Sequence, residues 1–379
     1  MAALNGRNGR NGRNGRNGRN GRNGRGDLGN ISHAGGVTDL AMSAALMSTM
    51  EGITSPWPLD FSHPELTVEH TQFSTTEFAN FERMERFFQD HIVANAFDRL
   101  FAPVELNDTI VMASAAGTPL VSVVLPDEAA RVPLLAGQMD FVKAYAALRD
   151  ERLEEIMIQQ ADTLSFFGAL TFLDDFRTPW TIALLDTVLR FGTYIEMPIK
   201  HYINGPRPIQ FSPHVQPVVP TPTHGTLPSG HSLEAFAVAT ILHALTTEYS
   251  GHYDARALFT DDSLLGRLAH RIAENRTVAG LHFPIDNLVG AAMGIAIGEF
   301  IVNALSGKSS TGAYAMNAEL YAQDDFYISS ASFAEGALSS GKAIYRESIA
   351  ISPSPHEILR EIWRRARIEA AANSRPTTL

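Results

Sequence analysis

Cysteine is absent from all 379 residues. Disulfides, thiolate nucleophiles and cysteine-based metal sites are therefore excluded, and such a chain suits contact with oxidants. Charge is also scarce, at 19% of residues, and what there is leans one way. The formal net charge is −11, and seven of the cations sit in one N-terminal tract, so the body is more acidic still. That balance argues against nucleic acid as a partner. The N-terminus lacks the apolar core of a signal peptide. The most apolar run, Leu288 to Leu305, is interrupted by Glu299 and diluted with Gly and Ala. It falls short of the ~20 clean apolar residues of a membrane span and reads as a buried helix. The expectation is a soluble protein, cytoplasmic by default, with no membrane partner.

The hydrophobic share, 45%, is ample for a large core. Residues 5–25 are seven copies of Asn-Gly-Arg. They offer nothing apolar to bury, so residues 1–26 are expected to be a disordered arm. Residues 27–379 are expected to form a single helical domain. Its first part, 26–81, reads as an irregular arm wrapping the body or a neighbouring subunit, which leaves a homo-oligomer open. Apolar spacing predicts helices over 81–101, over 134–173 with breaks, from Thr178 to about Tyr202, and from Gly230. Further helices are predicted over about 262–278, 284–305 and 355–372. The run 109–126 is β-prone on both sides of Gly117-Thr118-Pro119 and predicts a small hairpin. Residues 306–355, small and polar, read as a surface excursion. The fold class expected is all-α, a helical bundle.

Three stretches carry chemistry. In the first, KHYINGPRP, Lys200 closes a helix and Arg207 is held between two prolines. Lysine offers a point charge and arginine a rigid fork, both suited to an oxyanion. In the second, TPTHGTLPSGH, Ser229 is placed as an N-cap and the helix starts at Gly230. The first amides of such a helix have no intrahelical partner, and its dipole favours an anion. His231 adds a group that titrates near neutrality. In the third, NRTVAGLHFPID, Arg276 ends one helix and Pro284 begins the next, with His282 between them and Asp286 four residues on. A carboxylate on one imidazole nitrogen fixes the tautomer and frees the other nitrogen as nucleophile or ligand. Together they describe a site for a tetrahedral oxyanion passing through a five-coordinate state.

Lys-x6-Arg-Pro, Pro-Ser-Gly-His and Arg-x5-His-x3-Asp, in that order, resemble the type 2 phosphatidic acid phosphatase (PAP2) and vanadium-dependent haloperoxidase superfamily. The resemblance covers about residues 178–305. It implies a helical bundle with the site at one end. It implies that Lys200, Arg207, Arg276, Ser229 and the Gly230 amide bind the oxyanion. It further implies that His231 is the acid/base, and that Asp286 orients His282. His282 itself is then either a phosphohistidine nucleophile or the ligand of vanadium in bound vanadate, whose site phosphate can also occupy. Asn275 departs from the Ser that the phosphatases usually carry before the Arg. His224, seven residues before His231, is similar to vanadium bromoperoxidases, while the short interval from His231 to Arg276 is similar to phosphatases. The reading adopted is a vanadate-dependent haloperoxidase, using hydrogen peroxide, halide (bromide or iodide preferred) and a small organic acceptor, with His224 among its catalytic residues. The alternative is a soluble PAP2-type phosphatase acting on phosphate esters.

Overall fold

The computed structural model describes residues 77–373, apart from 83, 85, 250, 260–262 and 337–340. The Asn-Gly-Arg arm and most of the irregular stretch after it lie outside the described residues. The chain divides between Gln89 and Asp90 into two units. In the first, helix α1 (Glu77–Glu82) is followed by the start of α2 (Arg86–Asp98), and Gln89 donates to the Phe81 carbonyl over 2.9 Å.

The second unit opens with strands β1 (Glu105–Leu106), β2 (Thr109–Ala113) and β3 (Pro119–Val124). Four helices follow: α3 (Glu128–Gly137), α4 (Met139–Tyr145), α5 (Arg149–Gln159) and α6 (Leu164–Thr171). The bundle proper consists of α7 (Pro179–Ile203), the single turn α8 (Pro208–Phe211), α9 (Gly230–Thr246), α10 (Leu264–Val278) and α11 (Pro284–Leu305). Strands β4 (Ser310–Asn317), β5 (Phe333–Glu335) and β6 (Ile344–Ala350) precede the last helix, α12 (Glu357–Asn373).

The all-α expectation is overturned. The six strands form one mixed sheet in the order β1-β2-β3-β4-β6-β5. The predicted hairpin exists as antiparallel β2 and β3, with Ile110 opposite Val123. It continues through parallel β3 and β4 into the segment read as a surface excursion. That segment misled because some of its polar residues, Thr311 and Arg346 among them, are buried. Arg346 of β6 is buried and donates to buried Glu299 of α11 over 2.6 Å. Glu299 also accepts from the Gly312 amide of β4 (2.7 Å), the Ala255 amide (3.0 Å) and the Tyr314 hydroxyl. A polar run stitched to a buried acid has the composition of a surface loop and the location of a core strand.

Helix α11 is the axis. All of its residues are buried, so it is covered on every side and not along one stripe. By length and composition it could cross a membrane, and the whole of its apolar window is enclosed by the rest of the fold. It packs on α9 and α10, and β3 and β4 lie against it. Each fully buried Leu or Ile in this core contributes about 1.5–3 kcal/mol. The close approach of α9 and α11 needs Gly290 and Gly294: a Cβ at either would collide with the carbonyl of Ser229 or of Leu233. This contact runs the two helices parallel with their N-termini level. The Ser229 amide donates to the Asp286 carbonyl (2.9 Å), and the Ser232 hydroxyl donates to the Asn287 carbonyl (2.6 Å).

Helix α7 starts with Pro179, whose ring suits a first turn. Its early amides are capped from a distance, since Trp180 and Thr181 donate to the Glu369 carboxylate of α12 over 3.0 and 2.8 Å. It ends where Asn204 takes a left-handed conformation (φ 46°). The result places two helix N-termini (α9, α11) and two C-termini (α7, α10) at one end of the bundle.

Candidate functional site

The three sequence stretches meet at that end. Gly280 makes the turn between α10 and α11 at φ +77°, in the left-handed region, where glycine carries no penalty. The turn delivers His282 just before α11. Asp286, in the first turn of α11, receives the Phe283 amide (2.9 Å), the Thr226 hydroxyl and His282 Nδ1 (3.1 Å) on one oxygen. On the other ring edge, Arg207 Nη1 lies 3.0 Å from His282 Nε2. A guanidinium can only donate. Nε2 is therefore the unprotonated nitrogen, its lone pair turned towards the cations, and Nδ1–H donates to Asp286. Burial, with Arg207, Lys200 and other cationic or titratable neighbours, pushes His282 well below the usual histidine range, so its nucleophilic form prevails at neutral pH. Burial raises Asp286, and the Thr226 hydroxyl, the Phe283 amide, Arg207 and Lys200 oppose that rise.

Arg207 is buried, and its fork is fixed by acceptors. It donates to the carbonyls of Leu281 (2.9 Å), Gly225 (3.2 Å) and His224 (3.2 Å). Its Nη2 also meets His224 Nδ1 at 3.1 Å, which sets that half-buried ring beside the site. Lys200 Nζ donates to the Thr226 carbonyl (3.2 Å) and to the Pro228 carbonyl, with Glu196 at 3.7 Å. Desolvation lowers Lys200 to about 8 and Arg276 to about 9. Arg276 is fully buried. Its Nη2 donates to Gln159 Oε1 (2.9 Å), and its Nη1 lies 3.3 Å from His231 Nε2.

His231 Nε2 has two partners of opposite kind. The Gln159 carbonyl, 3.2 Å away, accepts from it when it carries a proton. Arg276 Nη1 donates to it when it does not. A nitrogen bracketed this way can hold either protonation state, which is what an acid/base needs. Burial, then Arg276, pushes His231 well below its ordinary range.

Ser229 precedes α9 as expected, but its hydroxyl does not cap the helix. Ser229 Oγ, Arg276 Nε and Gln159 Nε2 are buried with no hydrogen-bond partner among the described residues. Buried polar groups are almost always paired. Three orphaned donors among Lys200, Arg207 and Arg276, at the N-termini of α9 and α11, fit a tetrahedral oxyanion. Among the described residues no cluster of His, Asp and Glu forms a metal-cation site.

Residues 181–309 match the model of the PAP2 superfamily. Over that third of its length the chain is similar to the PAP2 superfamily. The PAP2 match runs from the first turn of α7 to just before β4 and therefore includes every motif residue above. No curated protein matches the chain.

The site also contains groups that the sequence did not reveal. Gln159 comes from α5, outside the PAP2 match and without a motif. It is brought in by Asn275, whose side-chain amide donates to Gln159 Oε1 (3.1 Å) and to Glu155 (3.0 Å) while accepting from Arg152 (3.1 Å). The residue that departs from the phosphatase pattern thus docks a helix. Thr226 orients Asp286 as described. Glu196 sits one turn before Lys200, a spacing that puts the two on one helix face; that signal was readable.

Proposed function

We propose that this protein is a vanadate-dependent haloperoxidase that oxidises halide, bromide or iodide in preference, with hydrogen peroxide. The observation that carries this choice is the His224 ring docked 3.1 Å from Arg207 at the edge of the oxyanion site, where a second imidazole can hydrogen-bond a bound oxidant. His282 Nε2 would hold the vanadium. Lys200, Arg207, Arg276, Ser229 and the Gly230 amide would hold the oxygens. Bound vanadate supplies a Lewis-acid centre that activates peroxide. The chain's own contribution is electrostatic and protonic. Three cations offset the negative charge in a site screened from water. Asp286 keeps the proton on Nδ1 of His282. His231 takes or gives a proton at Nε2, with Gln159 and Arg276 receiving the two states. A small organic acceptor would take up the oxidised halogen outside this charged centre.

A second reading is favoured by the unprotonated Nε2 of His282, whose lone pair faces Arg207. In it the nitrogen attacks phosphorus of a phosphate ester, the P–O bond to the alcohol breaks, and protonated His231 gives the departing oxygen its proton. Water, deprotonated by His231, then hydrolyses the phosphohistidine. Loading the protein with orthovanadate and assaying bromide oxidation beside p-nitrophenyl phosphate hydrolysis separates the two. Brisk ester hydrolysis without vanadate, inhibition by vanadate and no bromide oxidation at any pH would establish the phosphatase instead.

A further inference from the structure

The site holds one group that an oxyanion pocket would not be expected to tolerate. Glu196 is 6% exposed, on the face of α7 that meets α9. Its carboxylate lies 3.7 Å from Lys200 Nζ. It fills the space over Gly230 that any side chain there would occupy, so that a Cβ would collide with it. Gly230 is the residue whose amide opens α9, and Ser229 Oγ beside it is an orphaned donor. Glu196 Oε2 is itself buried without a hydrogen-bond partner among the described residues. An acceptor held only by the longer ion pair to Lys200 therefore stands among the donors.

A carboxylate next to an oxyanion is repulsive unless one proton lies between them. An oxyanion that carries its own hydroxyl can donate to Glu196. One that carries none leaves two acceptors facing each other, and a buried acceptor without a donor is costly. We propose that Glu196 makes this site selective for tetrahedral oxyanions that bear a proton, such as inorganic phosphate and vanadate, over those that bear none, such as sulfate. Glu196 thereby acts as a specificity residue that touches the ligand. Burial pushes its carboxyl up, against Lys200 and Arg207, which strengthens its attraction for a shared proton. The inference rests on the oxyanion reading of the site and narrows its ligand class. It also bears on turnover, since a phosphate monoester dianion has no proton to offer and inorganic vanadate has.

The test compares inorganic phosphate with sulfate by titration calorimetry at neutral pH, on the full-length wild type and on Glu196→Gln. The two anions share size and shape and differ in the proton. In the wild type, phosphate should bind at least about tenfold more tightly than sulfate. In Glu196→Gln the amide can donate to either anion, so sulfate should gain and the ratio should fall towards one. Equal binding of the two anions by the wild type overturns the proposal whether or not the variant folds. So does a ratio that Glu196→Gln leaves unchanged. Binding of neither anion overturns the oxyanion reading itself, and this proposal with it.

Discussion

Helix α11 carries a buried charge cluster towards each end, and the two are built on opposite rules. Near its C-terminus, Glu299 has both oxygens met from within the chain, by Arg346, Tyr314 and the amides of Gly312 and Ala255. Acid and base are paired, and the cluster ties the sheet to the bundle. At the N-terminus, Lys200, Arg207 and Arg276 outnumber Glu196 and Asp286. Donors on Ser229, Arg276 and Gln159 point at no acceptor among the described residues. One cluster is nearly complete as folded, its acid fully met and Arg346 Nε left with only an ion pair to Asp254 at 3.4 Å, and the other is complementary to something the chain does not contain. Burial alone therefore says little about role; the partner account separates a fastener from a site.

The comparison can be broken from either side. The largest effect expected is on chemistry. His282→Ala should lower turnover by at least about 10³-fold in whichever reaction the assay detects. Its melting temperature should shift by only a few degrees, because the ring sits at a helix entrance. Near-normal kcat would remove His282 from the reaction. Next is the opposite cluster: Glu299→Ala strands Arg346 in the core, at a cost of about 3–5 kcal/mol in urea unfolding. The fraction that folds should still bind phosphate with wild-type affinity. Impaired phosphate binding in folded Glu299→Ala would join the two clusters functionally and end the distinction.

Two further tests sharpen it. Lys200 is held at about 8 by desolvation, below the ordinary lysine value. As pH rises through 8 it loses its charge, and phosphate affinity should fall by up to about tenfold per unit. Between 8 and the ordinary value the unfolded chain binds the extra proton, so the anion-free protein should gain stability with pH in that window. An affinity that stays flat across pH 8 would show that Lys200 does not face the anion. The smallest effect is expected from His224→Phe. The cations and orphaned donors remain, so phosphate affinity should change by less than about threefold, within the loss of one exposed contact. The halide profile or the pH optimum should move. A variant unchanged in both would leave His224 without a role.

What was readable in the sequence follows from what is local. The helix starts at Gly230 and Pro284, the turn at Gly280 and the order of the three stretches are short-range signals, and they place Lys200, Arg207, Ser229, His231, Arg276, His282 and Asp286 at one end of the bundle. Gln159 was not readable. It reaches the site only because Asn275 pairs with α5 across more than a hundred residues of chain. The sheet was missed for the same reason: β3 and β4 are nearly two hundred residues apart, and the polarity of β6 reflects its partner Glu299 rather than solvent. Ser229 was placed correctly and given a capping bond it does not make, since propensity describes a position and not what the hydroxyl faces.

The parallel packing of α9 on α11 has a consequence for where a change of chain length is felt. From Gly230 the chain travels about 25 Å along α9 before it turns, and it returns along α10 to Arg276. The described residues that follow α9, among them Tyr253 and Ala255, are thus at the pole opposite the oxyanion-binding groups. They are anchored there, since the Tyr253 amide donates to Asn303 (2.7 Å) and the Ala255 amide to Glu299 (3.0 Å), so a change of length acts on the Glu299 cluster before it reaches the oxyanion-binding groups. The interval between His231 and Arg276 is accordingly set by the lengths of α9 and α10 and by this remote connection. A change at that pole is thus felt first by the fastener between sheet and bundle, and the oxyanion-binding end is insulated from it by the length of α9.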